Sequence, residues 1–164
     1  MTETGGRRLP RPSVLPSDRF DLFIGISEAV PDVFRDPYAL DPFTPAVRQM
    51  YAMSLLSNEV DNGGFSQFFY NGGGVWLDDA IAGFEAAGLD EHRQVTIDAA
   101  EAVMPIIATL SAAQQDASLT AYSGWAEQAD LDAFDDRWYA LSDIDEACER
   151  FMVDHAGDIW EPPG

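Results

Sequence analysis

From residue 18 onward, apolar residues recur every three or four positions and polar residues fill the gaps. No segment alternates with period two between turn dipeptides, so the pattern predicts an all-α fold. Asp18 is placed to cap a first helix running to about Val30, with Phe20, Phe23, Ile24 and Ser27 on one face. Pro31, Pro37, Pro42 and Pro45 punctuate a connector. Thr44-Pro45 starts a second helix, a hydroxyl cap followed by proline at the first helical position. Val47, Met50, Tyr51 and Leu55 follow at helical spacing until Asn62-Gly63-Gly64. A short helix then covers Phe65 to Tyr70 and ends at Asn71-Gly72-Gly73-Gly74. A fourth spans about Val75 to Ala87, with Trp76 or Leu77, Ala80, Ile81, Phe84 and Ala87 inward and Gly88 after it. A fifth begins near Asp90 and is interrupted at Pro105. Ser111-Ala112-Ala113-Gln114 has the form of a capping box and opens a sixth with Leu119, Tyr122 and Trp125. Asp130 and Ser142 are the candidate caps of a seventh (Leu131, Phe134, Trp138, Leu141) and an eighth (Ile144, Ala147, Cys148, Phe151, Met152).

The expected architecture is a single compact domain of about seven or eight helices over residues 18–164. Residues 1–17, with two Gly, three Pro and three Arg and no periodic apolar face, read as a disordered tail. A short basic arm folded back on the body is the alternative. No internal repeat is visible.

Charge changes the picture most. Against 29 Asp and Glu stand nine basic residues, all of them Arg, for a net charge of -20. Four of the nine (Arg7, Arg8, Arg11, Arg19) precede residue 20, so the body holds 27 acids and five arginines. Phosphates would be repelled, which argues against direct nucleic-acid binding and against an anionic membrane surface. The partner chemistry implied is cationic. With one cysteine, Cys148, no intramolecular disulfide forms. No apolar h-region precedes the domain, and no apolar run approaches the ~18 residues of a span. The expectation is cytoplasmic.

One segment is distinctive: Glu59, then Asn62-Gly63-Gly64-Phe65, then Gln67-Phe68-Phe69 and a trailing Asn71. It resembles the hallmark of a bacterial family of uncharacterised acidic domains that includes a DNA-mimic protein. The stretch Leu131 through Phe151 is similar to that family's closing helices, and the resemblance covers about residues 44–160. It implies an all-α fold. It also implies, through at least one relative, occupation of the DNA-binding surface of a helix-turn-helix regulator.

Read physically, the hallmark supports two accounts. In one, Glu59, Asn62, Gln67 and Asn71 form a polar pocket. In the other, Gly63 and Gly64 turn the chain, and Phe65, Phe68 and Phe69 form one core face at i, i+3, i+4. Asn62 and Asn71 then satisfy helix ends, and Gln67 bonds backbone in the turn. The glycine runs fit neither a P-loop, since the chain has no Lys, nor a dinucleotide fingerprint. His92 and His155 lie far apart, and Asp130-Leu131-Asp132-Ala133-Phe134-Asp135 fails as a calcium loop at Phe134 and Asp135. The reading therefore predicts no cofactor and no metal. Cys148 falls on the apolar stripe Ile144–Cys148–Phe151–Met152, where a thiolate is disfavoured.

The acids remain. Twelve carboxylates between Glu127 and Glu161 face only Arg137 and Arg150. Asp132/Asp135, Asp132/Asp136, Asp143/Glu146, Asp145/Glu149 and Glu146/Glu149 stand three or four apart, each like-charge pair costing about 0.2–0.5 kcal/mol on a helix. Solubility is one use for such charge. Mimicry of the phosphate row that DNA-binding proteins recognise is the other. The candidate partner-binding residues are Asp132, Asp135, Asp136, Asp143, Asp145, Glu146 and Glu149, and the expected partner is a basic protein, such as a helix-turn-helix DNA-binding protein. An immunity-type protein neutralising a bacterial toxin and an enzyme with a dispersed carboxylate site are the competing readings.

Overall fold

The computed structural model describes residues 5–164. Within that span the helices are α1 (Arg19–Ala29), α2 (Pro45–Tyr70), α3 (Leu77–Ala86), α4 (Asp90–Val103), α5 (Ile107–Asp116), α6 (Leu119–Ala129), α7 (Asp132–Tyr139), α8 (Asp145–Asp154) and α9 (Ala156–Ile159). Short 3-10 turns lie at Pro31–Phe34, Gly73–Trp76 and Met104–Ile106. The all-α expectation holds.

α2 is the axis of the fold. Val47, Met50, Tyr51, Ala52, Met53, Leu56 and Val60 are all buried, so this helix is enclosed on more than one face. α1, α3, α5, α6, α7 and α9 pack around it. Tyr51 stacks on Phe23 with ring centroids 5.0 Å apart and lies 4.8 Å from Trp76. Burial pushes the Tyr51 hydroxyl up to about 12. Thr44 caps the helix as its sequence position predicts, its Oγ1 accepting from the Val47 N–H at 3.4 Å. The same hydroxyl donates to the Asp158 carbonyl at 2.8 Å, which ties the start of α2 to α9.

The expected break at Gly63-Gly64 is present. Gly64 sits at φ +74, ψ 178, a conformation that L side chains rarely adopt, and the two halves of α2 meet across it. Phe65, Phe68 and Phe69 are buried in the second half, as the i, i+3, i+4 spacing requires.

Other expectations are corrected. α1 buries Leu22, Phe23 and Ile26, while Phe20 and Ile24 are exposed, so the face is rotated from the expected one. Both stripes are apolar, and docking on α2 selects between them. Ser111 lies inside α5; the next helix is capped by Ser118, whose Oγ accepts from Ala121 N–H at 3.1 Å. Gln114, expected to complete a capping box, instead donates to the Phe69 and Tyr70 carbonyls at the end of α2. Asp130 closes α6 in a left-handed conformation rather than capping α7, and Ile144, not Ser142, stands at the start of α8.

Residues 1–4 of the expected tail lie outside the described residues. Beyond them, a disordered tail through residue 17 does not describe the chain. Arg7 and Leu9 exchange backbone hydrogen bonds with Pro42, Thr44, Ile159 and Glu161 at 2.7–3.0 Å, and Leu9 is buried. The Arg7 guanidinium lies over the Phe43 ring. One buried leucine and four backbone bonds anchor an extended strap, which the sequence offers no periodicity to reveal.

The run Asp90–Asp116 is, by length and composition, apolar enough to cross a membrane. Pro105 divides it, as expected. α4 packs on α3 and α7, and α5 packs on α6 and α2.

Candidate functional site

The seven candidate acids do not share one helix face. Asp132, Asp135 and Asp136 belong to α7, which docks on α2 and α4. Asp143 lies in the following connector, and Asp145, Glu146 and Glu149 belong to α8, which docks on α1 and α9.

Their engagements differ. Asp135 points inward: its Oδ1 accepts from the Phe65 N–H at 2.7 Å. That N–H opens the second half of α2 just after the Gly64 break, so a carboxylate 70 residues away in sequence serves as its cap. A Cβ at Gly64 would run into this carboxylate. Burial raises the pKa of Asp135, with Asp132 and Asp136 adding to the rise and the Phe65 hydrogen bond opposing it. Asp145 pairs with Arg19 at 2.8 Å, and Glu146 with Arg150 at 2.7 Å. Asp143 accepts from the Asp145 N–H at 3.0 Å, at the start of α8. Arg137, on α7, pairs with Asp98 of α4 at 2.8 Å. Asp132, Asp136 and Glu149 are exposed and, among the described residues, make no ion pair and no side-chain hydrogen bond.

The hallmark residues form a clamp across the α2 break. Glu59 Oε2, on the first half, accepts from Gln67 Nε2 at 2.9 Å and Asn71 Nδ2 at 2.8 Å on the second. Asn62 Nδ2 donates to Gln67 Oε1 at 3.1 Å. Gln67 thus bonds side chains rather than turn backbone, and Asn62 and Asn71 join the same chain of contacts.

A further constellation was not visible in sequence. Asp61 accepts from Trp138 Nε1 at 2.8 Å through Oδ1 and from the Ser57 hydroxyl at 3.0 Å through Oδ2. His92 Nε2 lies 2.9 Å from the Ser142 carbonyl, and Tyr139 donates its hydroxyl to the Val60 carbonyl at 2.7 Å. These side chains surround a cavity of about 170 Å³ where α2, α4 and the α7–α8 connector meet. Burial lowers the pKa of His92, against the Ser142 carbonyl and the acids Glu91, Asp61 and Asp143. The Ser57 hydroxyl donates its hydrogen bond to Asp61 rather than to His92, so Ser57, His92 and Asp61 are not strung in the order a nucleophile needs. The arrangement locks α7 and its acids onto α2. Ser57 and Asp61 at i, i+4 are the only trace of it in the sequence.

Cys148 is buried, and that burial pushes its thiol up to about 12. Among the described residues, no three His, Cys, Asp or Glu side chains are grouped to hold a metal ion.

The family model of the DMP19-like protein matches residues 41–155. No curated protein and no solved structure matches the chain.

Proposed function

The chain belongs to the DMP19-like protein family, and from that premise we propose that it binds a basic DNA-binding protein through carboxylates on α7 and α8, standing in for the phosphates of duplex DNA. The observation that carries the reading is the placement of charge. Arg19, Arg137 and Arg150 are each held by an acid of their own, while Asp132, Asp136 and Glu149 stand exposed on helices without a cation. Asp132 and Asp136 are one turn apart, and like charges at that spacing repel. Asp132, in the first turn of α7, gains from the helix dipole, but Asp136 and Glu149 lie beyond the first turn of their helices, and all three are free for the Lys and Arg side chains that recognise phosphate. α7, docked on α2 and α4, and α8, docked on α1 and α9, hold these acids in place before binding, so less ordering is required than for a flexible acidic tail. Twenty net negative charges steer a cationic partner inward from a distance.

The test is a pulldown from host lysate at low salt, eluted with a salt gradient and identified by mass spectrometry. Recovery of one DNA-binding protein, released both by salt and by competing duplex DNA, is expected. The combined variant Asp132→Asn, Asp136→Asn, Glu149→Gln should lose it. A specific partner whose binding is indifferent to salt and to those three substitutions would sink the proposal.

A further inference from the structure

The strap that follows Leu9 does not seal against the body. Pro10, Pro12 and Pro16 fix φ along it, with a bend at Ser13–Val14, and it leaves a cavity on each side of Leu15–Ser17. One, of about 570 Å³, opens toward α1; the other, of about 560 Å³, opens toward α8 and α9. Leu15, Pro16, Ser17 and Trp160 border both. On the α8 side the wall is apolar, formed by Leu15, Met152, Val153, Ala156 and Trp160. Val153 is 77% exposed, the apolar residue on an outer face of α8 whose other residues, Asp145, Glu146, Glu149, Arg150 and Asp154, are charged.

The charges on the rim of this groove that lack an ion-pair partner have one sign. Asp21 and Glu28 border the first cavity, and Glu149 and Asp154 the second. All four are exposed, and among the described residues none makes an ion pair or a side-chain hydrogen bond. Arg150, the one cation on the rim, is turned to Glu146. Arg8 and Arg11 of the strap make no ion pair with these acids.

We propose that this groove docks a cationic amphipathic helix of the protein partner, its apolar residues seated against Leu15, Val153 and Trp160 and its Lys or Arg residues against Glu149 and Asp154. The inference rests on the partner reading above and adds to it an apolar anchor that duplex DNA does not possess. A helix with apolar residues at i, i+3, i+4 and i+7 is the usual occupant of such a groove. Charge complementarity selects a basic one. Proline stiffness keeps the groove open beforehand, so little is lost in forming it.

The test uses the full chain and two labelled synthetic helical peptides. Both carry the same arginines; one has leucines at i, i+3, i+4 and i+7, the other glutamines there. Fluorescence anisotropy at low salt is expected to show the leucine peptide binding roughly tenfold tighter. The double variant Leu15→Gln, Val153→Gln leaves charge unchanged and should erase that difference, with an unaltered thermal melt showing the fold intact. Equal binding of the two peptides to the unsubstituted chain would overturn the groove while leaving the acidic-surface reading standing. A difference that survives in the double variant would do the same. If neither peptide binds, the groove proposal fails, and the salt-gradient pulldown decides the acidic-surface reading separately. If the double variant instead converts a sedimenting dimer to a monomer, the occupant is a second copy and the proposal is overturned.

Discussion

Replacing Asp135 with alanine deletes the acceptor that caps the second half of α2. The Phe65 N–H, on a residue with no exposed surface, then has no partner at the Gly64 break. An unsatisfied buried donor costs about 1–3 kcal/mol, and loss of a helix cap about 0.5–2. Two effects act the other way: the buried charge is removed, and repulsion from Asp132 and Asp136 is relieved, both of which raise the pKa of this carboxyl. The net expectation is a loss of about 1–2 kcal/mol, or about 2–8 °C in melting temperature for a chain of this size. Asp135→Asn keeps a neutral acceptor at the same place and should recover most of the loss. Urea unfolding followed by circular dichroism measures both, through a shift in midpoint at constant slope. If Asp135→Ala is as stable as the unsubstituted chain, the tertiary cap does not exist. If Asp135→Asn loses as much as alanine, the negative charge rather than the acceptor is what matters.

Cys148 should resist native alkylation at pH 8, because burial holds its thiol near 12 against a slight lowering by Arg19, and should react once urea opens the chain; rapid labelling of the folded protein would contradict its place in the core. His92 carries a pH dependence of definite sign. Its folded pKa is below the ordinary 6.5, so the unfolded chain binds the proton more readily, and stability falls as pH drops from 6.5 through the lowered folded value. His92→Gln should remove that slope between the two values, and parallel stability–pH curves for the two proteins would show that His92 is not its source.

Much of the backbone course is local and was legible in the chain. The Thr44-Pro45 start, the Gly63-Gly64 break, the Pro105 interruption and the buried Phe65, Phe68 and Phe69 follow from capping, glycine freedom, proline geometry and helical period. These act between residues a few positions apart, so a sequence states them directly. The acidic balance is equally plain.

Tertiary structure decided which of those local options are used. α1 has two apolar stripes, and only contact with α2 buries Leu22 and Ile26 in place of Phe20 and Ile24. Leu9 stands alone among prolines and arginines, yet it is buried, and its backbone bonds go to Ile159 and Glu161, which are far away in sequence. The seven acids look equivalent along the chain. Folding turns Asp135 inward to Phe65, hands Asp145 to Arg19, and leaves Asp132, Asp136 and Glu149 facing outward, whereas the Glu146–Arg150 pair, four apart on α8, is local. A carboxylate's neighbours are set by how helices cross, and helical period carries no information about crossing; sequence alone therefore supplied the charge, and packing determined where it is free to act.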